Sequence, residues 1–303
     1  MIKHLRHHEI DRERWDECIR KSFNGIIYAY SWYLDIVNPG WEALVDDFKT
    51  VMPLTGGKKM GIKYLFTPFF VQQLGVFSSS KLTADDVLQF LRAIPKEYRY
   101  WEVNLNTFNN VAGKDFEYKP NLTHELDMIR DAEGIRKEYS DNTKRNLKKA
   151  RQHELHVVHD PSREEIISLF RNNRGKDVSV LQEAHYDVLR RLLQALDARG
   201  RLHSRGVKNE KGELIAGAFF TDSNGKVIFL FSGNSEEGKE KGAMFLLIDH
   251  FIGENALKNL VLDFEGSNDP QLARFYRGFG AKECVYLQAR FNSLPWLIRW
   301  YKS

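Results

Sequence analysis

The sequence predicts an α/β (α+β) chain of two tandem units, each a mixed β-sheet flanked by helices. Three observations carry that reading. The chain has 303 residues, enough for two domains. Short β-prone runs alternate with helical patterns along its length. A strand–helix–strand set also occurs twice: 74–79, 85–94 and 101–106 in the first half, then 228–233, 243–252 and 261–267 in the second. We place the units at 1–130 and 131–303.

Taken in order, residues 11–22 carry Trp15, Cys18 and Ile19 at helical spacing. Residues 28–37 form an aromatic-rich helix that Asn38, Pro39 and Gly40 end. Strands 41–45 and 49–54 follow. Gly56, Gly57, Lys58 and Lys59 make a hairpin loop before two short strands, 65–71 and 73–77. Thr83 caps a helix to residue 94, with Asp85 and Asp86 favourable in its first turn. Strands 100–105, 116–120 and 122–129 complete the first unit. The second begins with a basic helix, 139–152, then strand 154–159, helix 162–172, a longer amphipathic helix at 181–196 and strand 201–208. A hairpin, 213–221 with 226–231, turns at Asp222-Ser223-Asn224-Gly225. A glycine-bearing turn then leads to an apolar helix from 243, a strand at 260–262, a short helix around Tyr276 and a last strand.

Composition narrows the function. Hydrophobic residues make up 42% and charged residues 28%, an ordinary globular balance. The 20 Phe, 12 Tyr and 6 Trp can build a large core or line a groove. No apolar run approaches the roughly 20 residues of a membrane helix, and the charged start lacks a signal-peptide core. Cys18 and Cys284 match no metal or redox spacing. We therefore expect a cytoplasmic protein without a membrane span. The net charge of +4 is mild, so an anionic partner must be met by local patches.

Three stretches carry chemistry. The first is the turn after Ser232 and Gly233, with Lys239, Lys241, Gly242, Ala243 and Met244. A helix start after a glycine turn offers free N–H groups and a positive dipole end to an anion. Lys239 and Lys241 add charge, which suits the pyrophosphate of coenzyme A or the phosphates of a tRNA end. A plain solvated loop would read the same. In the second stretch, Asp263 and Glu265 stand two apart at the end of a β-prone run, so they would share a strand face. One of them could deprotonate an attacking amine, a role typically worth ~10²–10⁴-fold; alternatively one caps the next helix and the other is solvated. The third is Tyr276, on a short helix ending at Gly278 and Gly280. It could donate a proton to a leaving group, or simply pack with Phe275 and Phe279.

The basic helix sets Lys144 against Lys148, and Arg145 against Lys149, at i, i+4. These stripes could hold phosphates of a nucleotide-linked acceptor or of RNA, or face solvent. Among ten histidines, His153, His156 and His159 are spaced by three, but His156 and His159 lie in a strand that sends them to opposite faces. We expect no metal.

The order hairpin, glycine turn, helix, strand, Phe-Tyr-x-x-Phe-Gly, strand resembles the core of the GNAT acyltransferases, most closely the FemAB-like branch of Fem-type aminoacyl (peptidyl) transferases. The likeness rests on Tyr139-Ser140-Asp141-Asn142-Thr143-Lys144-Arg145-Asn146-Leu147-Lys148-Lys149-Ala150, on Leu262-Asp263-Phe264-Glu265-Gly266-Ser267, and on Arg274-Phe275-Tyr276-Arg277-Gly278-Phe279-Gly280-Ala281. It covers residues 139–290. In the first unit only Tyr30-Ser31-Trp32 and Thr67-Pro68-Phe69 match in outline. The resemblance implies two GNAT-like units, with the acceptor in a cleft and the donor on the second. It implies an acyl-CoA or an aminoacyl-tRNA as donor substrate and an amine as acceptor, in work such as peptidoglycan precursor modification. It also draws Asn142 and Arg145 toward the acceptor, together with Tyr33 and Gln73. The sequence departs from the family at its phosphate loop, where Lys239 comes first and Met244 last. It also lacks the long helical arm of some Fem-type enzymes. The rival expectations are a coenzyme A-dependent N-acetyltransferase for a small molecule or envelope sugar, and a degenerate GNAT pair that binds RNA or acts as a scaffold.

Overall fold

The computed structural model of the chain describes residues 1–111, 113–176 and 181–295. It divides into Met1–Asn121 with Val285–Ser303, and Leu122–Cys284. The boundary set at 130 thus falls at 121, and the C-terminal strand counts with the first unit. Pairing is the reason: residues 288–292 run antiparallel to 100–104.

The first unit contains β1 (Lys3–Leu5), α1 (Arg12–Lys21), α2 (Ser31–Val37), β2 (Glu42–Asp46), β3 (Thr50–Leu54), β4 (Gly56–Lys59), β5 (Ile62–Leu65), β6 (Phe77–Ser78), α3 (Ala84–Arg92) and β7 (Tyr98–Asn104). β1, β2, β3 and β6 form an antiparallel sheet in that order. β4 pairs antiparallel with β5, which runs parallel to β7. Local chemistry explains the helices. Asp11 accepts the Arg14 N–H at the start of α1, and Thr83 with Asp86 closes a capping box on α3. The strands expected at 65–71 and 73–77 shrink to β5, a single parallel bridge between Leu74 and Leu105, and β6. Pro68 lacks an N–H and Phe70 turns left-handed at φ 62°, so the run cannot stay extended.

The second unit contains β8 (Glu117–Asp127, which enters it), α4 (Ala132–Lys137), α5 (Asp141–Ala150), β9 (His156–His159), α6 (Arg163–Asn172), α7 (Glu183–Asp197), β10 (Leu202–Lys208), β11 (Leu214–Ser223), β12 (Lys226–Asn234), α8 (Glu236–Lys241), α9 (Ala243–Asn255), β13 (Val261–Asp263) and α10 (Pro270–Arg277); β14 (Lys282–Asn292) leaves it. The two strands expected at 116–120 and 122–129 are one, and α4 precedes the basic helix that the sequence showed. The sheet order is β8-β13-β12-β11-β10-β9. The β12–β13 pair is parallel and the others are antiparallel. α9 is the crossover between the parallel strands. It packs Phe251 flat on Phe220, ring centroids 3.7 Å apart, within a core that includes Leu126, Val227, Phe229, Leu262 and Phe279. α6 covers the other face, where a side chain on Gly233 would meet the Ile166 carbonyl at 2.6 Å and the Phe170 N–H at 2.7 Å.

Each unit is therefore a mixed sheet flanked by helices, as the sequence predicted. No helix among the described residues is long and apolar enough to cross a membrane.

Candidate active site

β12 and β13 pair only where Lys226, Val227 and Ile228 meet Val261, Leu262 and Asp263. β12 then runs on to Asn234 while β13 stops, so the strands part like a fork. A bulge sharpens the fork. Phe219 pairs with Phe231 and Phe220 with Phe229, which leaves Leu230 as an extra residue. Phe229 consequently faces the α9 side, whereas Phe231 faces α6 and packs on Phe170 with centroids 4.7 Å apart. A cavity of about 310 Å³ fills the mouth of the fork. Phe229, Met244, Phe245, Leu272 and Phe275 make its apolar wall, and Tyr276 lines it too. Its polar rim is Ser232, Asn234, Lys239 and Arg174, with Gly233, Gly238 and Gly242 giving bare backbone.

The two carboxylates have different surroundings. β13 ends at Asp263, and Glu265 (φ 53°) and Gly266 (φ 55°) then coil left-handed. The strand alternation stops, and the expected shared face does not form. Asp263 is fully buried. It accepts the Thr123 hydroxyl at 2.5 Å, the Glu265 N–H at 3.1 Å and the Lys226 ammonium at 3.1 Å. Lys226 also reaches Glu125 at 2.6 Å. Burial works against the Lys226 charge, but Asp263 and Glu125 outweigh it and hold the ammonium above the usual lysine range. Glu265 is half-buried, and its backbone is fixed by the Asp263 bond and by the Ser267 hydroxyl donating to its carbonyl at 2.8 Å. Tyr276 is buried, stacked on Phe264 with centroids 4.8 Å apart. Burial pushes its phenol above the usual value, so it stays protonated and able to donate a hydrogen bond.

The glycine turn is a junction of two helices. Ser235 caps α8, and Gly242 (φ 73°) ends α8 and starts α9. Only glycine fits there, because a Cβ would lie 2.9 Å from the Asn146 carbonyl of α5.

An acetyltransferase (GNAT) domain family matches residues 136–270, which hold the fork, the turn and the carboxylates. These residues are similar to a GNAT domain. The fold extends the likeness over nearly all its length. FemX superposes with a TM-score of 0.64 at 12% identity, covering 94% of this chain and 96% of its own. A conserved protein of unknown function from Bacteroides thetaiotaomicron gives 0.63 at 10% identity, over 92% and 96%. A DUF2156 domain from Agrobacterium fabrum gives 0.52 at 11%, over 92% and 91%. The fold is thus shared with FemX over nearly the whole chain. No curated protein matches the sequence significantly.

Around the cavity in the fork the expected donor residues separate. Ser232, Gly233, Lys239, Gly242 and Met244 line it. Ala243 lies in the core instead. Lys241 pairs with Glu210 at 2.9 Å and Glu237 at 2.8 Å, and Lys239 with Glu236 at 2.6 Å. Two of the acceptor candidates stand in each unit. Asn142 and Arg145 are exposed on α5. Tyr33 and Gln73 are interior residues of the first unit: the Tyr33 hydroxyl donates to the Phe70 carbonyl at 2.6 Å, and the Gln73 amide oxygen accepts the Thr107 N–H at 3.1 Å. Sequence reasoning missed Phe170 and Arg174, which come from α6 and the turn after it. Arg174 is anchored on Asp269 at 2.8 Å. It also missed Lys226, whose signal was a lone cation beginning a β-prone run.

Proposed function

We propose that the chain is an N-acyltransferase that moves an aminoacyl or acyl group from an activated donor to a primary amine. The observation that supports this reading best is the apolar cavity in the β12–β13 fork, with Tyr276 on its wall and Glu265 just past the end of β13. The donor's acyl end occupies the fork, where the β12 edge beyond Ile228 has no partner strand on that side. The amine nitrogen attacks the carbonyl carbon, and its proton passes to Glu265 directly or through water. The bond to the leaving oxygen or sulfur breaks, and Tyr276 donates a hydrogen bond to that atom. Asp263 is a positioning residue: its three bonds are already made, and one of them holds the Glu265 backbone.

We favour an aminoacyl-tRNA over coenzyme A as donor, and an amine of a nucleotide-linked cell-wall precursor as acceptor. The lysines beside the glycine turn are neutralised by Glu210, Glu236 and Glu237, which weakens a pyrophosphate clamp. The side chains of Arg145, Lys148 and Lys149 are exposed and make no hydrogen bond or ion pair with any described residue. They stand on α5, the helix that packs against the start of α9, and are open to a phosphate backbone.

Thermal-shift measurements with coenzyme A and with a non-hydrolysable aminoacyl-tRNA analogue test the donor. A ligand at a hundred times its Kd stabilises by about 2.7 kcal/mol; we expect that from the RNA and not from coenzyme A. The reverse result would establish the coenzyme A-dependent reading. Glu265→Gln should lower kcat by ~10²–10⁴-fold with donor affinity retained. If Glu265→Gln and Tyr276→Phe both leave kcat unchanged, these assignments fall.

A further inference from the structure

We propose a divalent transition-metal site formed by His159, His250 and Glu254 in the second unit. His159 ends β9, and His250 and Glu254 stand one turn apart on α9. The His159 Nε2 atom lies 3.1 Å from the Glu254 Oε1 atom, and the His250 Nδ1 atom lies 3.5 Å from the same oxygen. All three donor atoms fall within 4.8 Å of one another. A tetrahedral zinc ion with bonds near 2.0–2.1 Å holds its donors about 3.3 Å apart, so the two measured separations bracket the required one. The imidazoles are 6.0 Å apart and nearly perpendicular, which lets both nitrogens converge.

Two further observations point to a ligand rather than to simple ion pairing. The His250 Nδ1 atom is buried and has no hydrogen-bond partner among the described residues, which leaves it available to a ligand. The other carboxylate oxygen of Glu254 already accepts the Arg205 Nε–H at 2.9 Å. That is the usual outer support of a ligating carboxylate, and it leaves Oε1 for the ion. Two neutral imidazoles and one carboxylate suit zinc and its late-transition neighbours, with water in the fourth position. The ion would tie the edge strand β9 to α9. His250 lies eight residues after Gly242, or about 12 Å along the helix from the cavity at 1.5 Å per residue. The site is therefore a clamp on the helix that carries the glycine turn.

The test uses the full chain, stripped with chelator, titrated with zinc by calorimetry and with Co²⁺ by visible absorption. We expect one ion per chain at micromolar free metal and the visible bands of tetrahedral Co²⁺. His250→Ala and, separately, His159→Ala should weaken binding at least tenfold and remove those bands. Replacing His4, His7 and His8 together should leave both readouts unchanged. Because His159 is 55% exposed on an edge strand, its substitution keeps the test valid if His250→Ala fails to fold. Binding unaltered in the His159 variant, or no stoichiometric binding in the parent, would overturn the site.

Discussion

Replacing Lys226 by Met tests whether the charged cluster under the fork is a structural unit. Asp263 is fully buried, and the Lys226 and Glu125 side chains are only 14% and 20% exposed. At separations near 3 Å and an effective dielectric of about 20, each contact is worth roughly 5–6 kcal/mol before desolvation. Much of that is offset by drawing the ions out of water, but removing one partner leaves the others buried and uncompensated, at about 3–5 kcal/mol. Lys226→Met should therefore lose about 3–5 kcal/mol in urea denaturation. Lys226→Met with Asp263→Asn removes the orphaned charge while keeping the Thr123 and Glu265 contacts. The pair should be less destabilised than the sum of the single changes by at least about 2 kcal/mol. A loss below about 1 kcal/mol for Lys226→Met, or strict additivity in the cycle, would show that water screens the cluster and that Asp263 does not need the lysine.

Gly233→Val should destabilise by about 1–3 kcal/mol and weaken donor binding together, because the new side chain meets the backbone of α6; a variant with wild-type melting temperature and affinity would contradict the packing. His124 is fully buried on β8, and neither ring nitrogen has a hydrogen-bond partner. Burial, helped by the Arg277 charge, holds its pKa below the ordinary value. The unfolded chain therefore takes up its proton first as pH falls through about 6.5. The stability that neutral His124 contributes is complete above that pH and drains below it, by at most about 1.4 kcal/mol per pH unit, until the folded pKa is reached. Relative to the parent, His124→Leu should lose that slope when urea denaturation is followed between about pH 5 and 7; parallel curves would place a proton on the folded imidazole. Tyr276→Phe should slow transfer most for donors with a basic leaving group, and equal effects on all donors would remove the hydrogen-bond role.

Local signals were legible because they act over a few residues. Thr83 with Asp86 and the glycines around Tyr276 stand where the sequence placed them, while the basic helix expected from 139 begins at Asp141, after its Ser140 cap. The GNAT layout followed from their order. Long-range facts were hidden. Nothing in Asp263 and Glu265 announces that the strand ends between them, since a left-handed glutamate has no composition signal. Nothing in the sequence announces that Tyr33 and Gln73 bond the backbone of Phe70 and Thr107 in the first unit's interior. His250 and His159 lie ninety-one positions apart, so no spacing rule could pair them.

The extra residue at Leu230 gives β12 two reading frames. Ahead of it the odd-numbered residues Val227 and Phe229 look toward α9; behind it the even-numbered Ser232 and Asn234 do, and Gly233 is left to lie beneath α6. A strand with one uniform phase would send a serine and an asparagine into the close contact that only glycine tolerates, and would turn Phe231 into the mouth of the fork. Deleting Leu230 would therefore leave every other side chain on its present face, with Phe229 and Phe231 as ordinary neighbours opposite Phe220 and Phe219. Inserting or removing a residue elsewhere in the strand would turn Phe231 into the cavity and a polar side chain under α6. The phase change, more than any single side chain, keeps the cavity hollow.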